Sequence, residues 1–229
     1  MGDAERNRPA ARPGFLVSFE GSEGCGKSTQ VARLAARLAN AGIEAVATRE
    51  PGATVLGGAL RRLLLDPACD HDTQTELFLY LADRRDHWRR VIAPALKRGA
   101  VVLVDRFIDS TRVYQGYAGA DPRLSGELID ELNRLVLAGR LPDLTLILDC
   151  PVEIGLERAR RRNREEKAVG RSDRFEQREL DFHHRVREGF LELARGPEGR
   201  VFRVLDAAAS PEEVEAAVWR EFGAAYAFF

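Results

Sequence analysis

The stretch FLVSFEGSEGCGKSTQ, Phe15 to Gln30, decides the fold. Phe15 to Phe19 is a short apolar run that stops at Gly21, as a buried strand does. Val31, Leu34, Ala35 and Leu38 then recur at the spacing of an amphipathic helix. Between them, Gly21-Ser22-Glu23-Gly24-Cys25-Gly26-Lys27-Ser28 satisfies the pattern G-x-x-x-x-G-K-[ST] in the strand, turn and helix setting that its mechanics require. Glycines let successive backbone amides turn inward on a polyphosphate, and the helix N-terminus adds positive potential. Lys27 can neutralise β and γ phosphates, and Ser28 can ligate Mg²⁺. Gly21 to Thr29 is thus the expected nucleoside triphosphate cradle. Cys25 fills a small-residue position in it and is assigned no chemistry.

Four further apolar runs lie downstream: Ile43 to Thr48, Val101 to Val104 ending at Asp105, Leu144 to Leu148 ending at Asp149, and Val201 to Leu205 ending at Asp206. Helical patterns separate them, at Val55 to Leu65, Thr75 to Trp88, Leu124 to Ala138, Val152 to Arg162 and Phe175 to Ala194, with Pro211 to Phe222 closing the chain. The last opens on Ser210, Pro211 and Glu213, which fit a capping box with proline in the first turn. Alternating strands and helices predict an α/β fold, a mainly parallel sheet covered on both faces, with ligands beyond the carboxyl ends of its strands. No internal repeat or interdomain linker interrupts residues 14–229, which read as a single domain, and residues 1–13 read as a disordered tail.

Composition sets limits. A chain of 229 residues, 45% hydrophobic and 31% charged, can bury a substantial core, which excludes global disorder. A formal net charge of −1 provides no global field for nucleic acid or a membrane surface. Cys25, Cys69 and Cys150 are odd in number and widely spaced, against a disulfide framework or a zinc site, and fit a reducing cytoplasm. His71, His87, His183 and His184 have no ligand-like spacing with them, and His183-His184 reads as a solvated helix turn. No apolar run reaches membrane-spanning length. Only three of the 35 basic residues are lysines, Lys27, Lys97 and Lys167; the rest are arginines, suited to forked contacts with phosphate.

A phosphate cradle alone does not separate kinases from switches and motors. No asparagine precedes a lysine, so the N-K-x-D element of guanine-specific switches is missing. Four more stretches fall at strand ends or on early helices: Thr48-Arg49-Glu50-Pro51-Gly52, Leu60 to Leu65 with Arg61, Tyr80 to Arg84, and Asp105 to Ser110 running into Tyr114-Gln115-Gly116. Arginines, an aromatic and an amide on one sheet edge could hold a phosphate, sandwich a flat base and read its edge. The segment ERARRRNREEKAVGRSDR from Glu157 is too charged to be buried. By itself such a run reads as a solvated face, and proximity to a nucleotide site would change that reading.

Together these motifs resemble thymidylate kinases of the bacterial type: FEGSEGCGKSTQ, TREPG, LRRLLLD, ADRRDHW, the VDRF-DS-YQGY stretch, LPDLTLILD and DRFEQRELDFHHRVREGFLELA occur in order from about Phe15 to the C-terminal helix. The resemblance implies a P-loop NTPase fold with a five-stranded parallel sheet and a short arginine-rich lid at about residues 158–174. It further implies γ-phosphoryl transfer from ATP to dTMP with Mg²⁺, and a cytoplasmic homodimer that engages neither nucleic acid nor membrane. By the same resemblance, Arg49, Arg61 and Arg106 surround the dTMP phosphate, with Glu50 beside them, and Asp105 joins Ser28 at Mg²⁺. Tyr80 stacks on thymine, Arg84 and Gln115 read its edge with Ser110 and Thr111 nearby, Tyr114 crowds the sugar 2′ position, and Glu23 lies near the 3′-hydroxyl. Catalysis falls to Lys27 and Arg106 with Arg158, Arg160 and Arg162 of the lid, ahead of the signature Asp173-Arg174-Phe175-Glu176. The chain departs from the pattern at Ala53, where a second glycine is frequent, at Tyr80 in place of phenylalanine, and in extra lid residues around Arg164 to Gly170. A kinase for another acceptor, and a non-catalytic nucleotide switch, are the rival readings.

Overall fold

In the computed structural model, residues 13–165, 178–196 and 199–227 are described. Five strands, β1 (Phe15–Glu20), β2 (Ala45–Arg49), β3 (Val101–Asp105), β4 (Leu144–Asp149) and β5 (Phe202–Asp206), form one parallel sheet in the order β2-β3-β1-β4-β5. The helices are α1 (Lys27–Asn40), α2 (Val55–Leu65), α3 (Thr73–His87), α4 (Ala93–Lys97), α5 (Ile108–Thr111), α6 (Gly126–Val136), α7 (Val152–Glu165), α8 (Leu180–Ala194) and α9 (Pro211–Ala227). π-helical turns at Trp88–Ile92 and Arg112–Tyr117 extend α3 and α5. The expected tail up to residue 12, the lid beyond residue 165 and the Asp173 to Glu176 signature lie outside the described residues.

Period-two alternation divides the core. Phe15, Val17 and Phe19 of β1 face one layer, packing with Leu34 and Leu38 of α1 and Val218 and Phe222 of α9. Leu16, with Val102 and Val104 of β3, faces the other, against Trp88, Ile92 and Phe107. Ser18 and Glu20 share that second face and are fully buried, although both are polar. Their placement matters to the site.

All five expected strands form, with ends shifted by one or two residues. β2 starts at Ala45 because its register runs Ala45 to Arg49 along Val101 to Asp105. α3 starts two residues earlier than its apolar period suggests, since Asp72 caps it by accepting from the Thr75 amide at 2.8 Å. Ser125 caps α6, which therefore starts at Gly126, not Leu124. Ser210 and Glu213 form the expected reciprocal box at α9. That helix outruns its expected end because Tyr226 packs edge-on against Phe15 and stacks on Phe222. Helical structure over Ile108 to Tyr117 was not expected. Its polar residues follow no 3.6-residue apolar stripe, and it is held by packing of Val113 and Tyr114 against Phe182, Val186 and Phe190 of α8. The turn at Ala53 needs no second glycine, because the left-handed residue there is Gly52, with φ of 111°.

Candidate active site

The carboxyl ends of the strands open on a cleft of about 810 Å³. One end is the loop after β1. Gly26, at φ 92°, starts α1 with no side-chain cap, and the first turn carries no acidic residue, so the helix N-terminus favours an anion. Gly24 is required for packing as well as for its φ of 67°: a Cβ there would sit 1.9 Å from the Gly155 carbonyl oxygen of α7. Lys27 is buried and donates to the carbonyls of Gly21 at 3.0 Å and Ser22 at 2.6 Å. The Ser28 hydroxyl donates to Asp105 at the end of β3. A hydroxyl and a carboxylate are the hard oxygen donors that suit Mg²⁺ shared with phosphate oxygens. Among the described residues, no group of three or more His, Cys, Asp and Glu gathers to hold a metal by itself.

At the centre stands Arg106. Its backbone is left-handed, with φ of 64°, a conformation that costs a non-glycine residue about 1–2 kcal/mol. The amide is fixed there by donating to Phe19 O at 3.0 Å. The guanidinium donates to Gly21 O, Ser110 Oγ and Glu23 Oε1 at 3.0, 3.2 and 2.9 Å, and lies 5.1 Å from the centroid of the Tyr114 ring. Tyr114 Oη donates to both Glu23 oxygens at 2.7 and 2.8 Å. Burial works against the Glu23 charge, but Arg106, His183, Lys27 and Tyr114 outweigh it and hold this carboxyl well below the ordinary range. Glu20, three residues earlier, goes the opposite way. Burial, with the neighbouring Asp109 charge, pushes it up to about 7. Glu20 accepts from the Phe107 amide at 2.9 Å and from Ser110 Oγ at 2.6 Å, tying the end of β1 to the segment that follows β3.

The opposite end of the cleft is assembled around Arg84 of α3, which is 1% exposed. Its guanidinium donates to Glu50 Oε2 at 2.8 Å, Asn133 Oδ1 at 2.7 Å, Phe107 O at 3.1 Å and Thr111 Oγ1 at 2.9 Å. Glu50 is also engaged by His87 Nδ1 at 2.9 Å, and His87 Nε2 contacts Thr48 Oγ1 at 2.7 Å. Arg84 is thus no solvated helix residue. It joins α3, α5, α6 and the turn after β2, and Glu50 reaches the cleft wall with both carboxylate oxygens already occupied. Arg61 donates to Pro51 O at 3.0 Å, while Gly52, where a Cβ would lie 2.9 Å from Arg61 Cδ, leaves it room.

The cleft collects nearly every residue expected of it. Glu23 to Thr29, Arg49, Glu50, Arg61, Tyr80, Arg84, Asp105, Arg106, Ser110, Thr111, Tyr114 and Gln115 all line it. Gly21 and Ser22 lie behind the wall, where their carbonyls receive Lys27. The lid arginines divide. Arg158 and Arg162 line the cleft, and Arg158 is braced by donation to Ala207 O at 2.7 Å; Arg160 is exposed and outside the lining, whereas Arg161, not singled out in the sequence, is part of it. The sequence reading also missed Glu20, His87, Asn133 and His183. His183 is 1% exposed with Nδ1 3.7 Å from Glu23 Oε2, so the solvated-turn expectation holds for His184 and is corrected for His183, which α8 turns inward. A carboxylate ending a mostly apolar strand was the available signal for Glu20. Nothing local marked His87 or Asn133.

The thymidylate kinase family model matches residues 19–218. The thymidylate kinase of Caulobacter vibrioides is 50% identical over 206 residues, covering 90% of this chain and 94% of its own. That of Oleidesulfovibrio alaskensis is 52% identical over 202 residues, covering 87% and 93%. The crystal structure of thymidylate kinase from Ehrlichia chaffeensis superposes with a TM-score of 0.70 at 32% identity, over 92% of this chain and 99% of that one. The chain, which matches these proteins over nearly its whole length and brings the Gly21 to Ser28 loop, Arg84 and Gln115 to one cleft, belongs to the thymidylate kinase family.

Proposed function

We propose that the two ends of the cleft bind Mg·ATP and dTMP in line, and that the chain's own cations carry the γ-phosphoryl group across as dTDP and ADP form. The observation that carries this reading is the single cleft that joins the Gly21 to Ser28 loop to the Arg84 and Gln115 pocket. Membership of the family makes the chain a phosphotransferase acting on dTMP.

The acceptor phosphate already offers an anionic oxygen, so no general base is needed; the enzyme must bring two repelling anions together and offset charge on the transferring group. Arg49, Arg61 and Arg106 hold the acceptor phosphate. Lys27 leaves the carbonyls of Gly21 and Ser22 for the β and γ phosphates, and Arg162, Arg158 or Arg161 approaches from the lid side. Bound Mg²⁺ would neutralise phosphate charge beside the Ser28 hydroxyl and the Asp105 carboxylate. Tyr114, fixed by Glu23, limits space beside the sugar, and Tyr80 faces the base. Arg84 presents its remaining N–H to the base edge, with Glu50 acting through it. Closure over the site excludes water, which protects the γ-phosphate from hydrolysis. A cytoplasmic location is part of this proposal, supported by three free cysteines far apart in the sequence. No helix among the described residues is long and apolar enough to cross a membrane.

Homodimerisation is supported by exposed apolar side chains on three neighbouring helices: Leu56 and Leu63 on α2, Phe78 on α3, and Leu128 and Leu135 on α6. Phe78→Glu is expected to convert a dimer to a monomer in light scattering; an unchanged mass places the interface elsewhere. Acceptor-dependent ADP release with dTMP, dUMP, CMP, AMP, GMP and thymidine tests the reaction itself. Strong preference for dTMP is expected, and preference for another acceptor overturns the assignment of the base pocket.

A further inference from the structure

Gln115 lies on the π-helical turn after α5, 1% exposed, and lines the cleft. Its Nε2 donates to Glu76 Oε2 at 3.2 Å. Glu76 sits in the first turn of α3 and is 3% exposed, and the guanidinium of Arg178 lies 3.6 Å from its Oε1. Neither Glu76 nor Arg178 lines the cleft, so neither belongs to the substrate-contacting set.

A glutamine amide has two ends of opposite hydrogen-bonding sense, and nothing in its shape decides which end faces a ligand. A carboxylate accepts only. Glu76 therefore attracts the nitrogen end of Gln115, leaving the carbonyl as the end free to address the cleft. We propose that Glu76 is a positioning residue that locks the Gln115 amide with its carbonyl toward the base, and so selects pyrimidines carrying an N3–H donor. This rests on the reading that Gln115 faces the base edge. Thymine and uracil offer N3–H to that carbonyl. Cytosine offers a lone pair at N3, so two acceptors face one another in a site closed to water. Arg178 approaches the other carboxylate oxygen of Glu76, leaving Oε2 to the Gln115 amide nitrogen. The lock accounts for rejection of cytosine and is indifferent to the 5-methyl group, so it leaves dUMP to other parts of the pocket.

The test compares kcat/KM for dTMP and dCMP in the wild-type chain, Glu76→Ala, Glu76→Gln and Gln115→Leu. Glu76→Ala is expected to lower the dTMP-to-dCMP ratio roughly ten- to hundredfold. Glu76→Gln, which can present either sense to Gln115, gives an intermediate ratio, with the loss for dTMP falling on KM more than on kcat. A purely structural role would depress both acceptors together and preserve the ratio. Should Glu76→Ala not fold, Glu76→Gln decides the question. Wild-type ratios in the Glu76 variants, with a collapsed ratio in Gln115→Leu, overturn the lock alone. An unchanged ratio in Gln115→Leu overturns the base-edge reading and the lock with it.

Discussion

At one end of the cleft, the proposed phosphate cradle with its lysine and its hydroxyl is eight consecutive residues, Gly21 to Ser28. At the other end, the proposed base pocket, the partners of one guanidinium come from three segments, Glu50, Phe107 with Thr111, and Asn133. The first end is a local device in which backbone conformation makes the site, and its lysine rests on carbonyls it can leave. The second is a tertiary device in which the site also holds the helices together. Removing a functional group should therefore have different consequences at the two ends: loss of rate with little loss of stability at the cradle, and loss of both at Arg84.

Four experiments test that contrast, from the largest expected effect to the smallest. Arg84→Ala strips one partner from a buried ion pair and leaves Glu50 and Asn133 under-satisfied, so about 3–5 kcal/mol of stability should disappear in urea denaturation; a loss under about 1 kcal/mol would mean the network does not bind the helices together. Lys27→Ala should reduce turnover by roughly two or more decades, by analogy with removing a donor to developing charge. Its melting temperature should remain close to wild type, and a stability loss like that of Arg84→Ala would erase the distinction between the two ends. Arg162→Ala, at the rim, should reduce turnover at saturating substrates by roughly one decade, about 1.4 kcal/mol. Full turnover there would transfer the lid role to Arg158 or Arg161.

The smallest effect, taken over any single pH step, concerns Glu20, which ties the end of β1 to the segment after β3. Its carboxyl rises from 4.5 to about 7 in the folded chain, so the folded state binds more protons than the unfolded chain between those values. The contribution is present below about pH 4.5 and is lost as pH rises toward 7. Across that window the slope is at most about 1.4 kcal/mol for each pH step of one. Glu23 has the opposite sign: its depressed pKa adds stability above about pH 4.5 that is lost on acidification. Urea midpoints of the wild type and Glu20→Gln between about pH 4.5 and 7.5 separate the two. The wild type should lose stability relative to the variant as pH rises, and parallel profiles would show that Glu20 does not titrate in that window.

Hydrophobic periodicity and the glycine pattern of a contiguous loop were enough to place the five strands, most helices and the cradle, because period-two and 3.6-residue patterns and a G-x-x-x-x-G-K-S turn are set by local sterics and backbone hydrogen bonding. Resemblance to the family then named Arg84, Tyr114 and Gln115 and the parts of a substrate they would face, but not the Glu50, Asn133, Glu23 and Glu76 side chains that hold them. Residues 108–117 have no clean period, so their helical form waited on packing against α8. His183 and His184 are neighbours with identical side chains, and only the rotation of α8 sends one to Glu23 and the other outward. In the same way Arg158, Arg160 and Arg162 look equivalent along the chain, while the helix phase of α7 puts Arg160 outside the cleft and Arg161 within it. Sequence by itself determined the α/β frame and the phosphate loop, whose interactions close within a few residues. Tertiary structure alone decided the buried polar network, because a desolvated arginine or carboxylate is stable only where partners from distant segments converge to satisfy it.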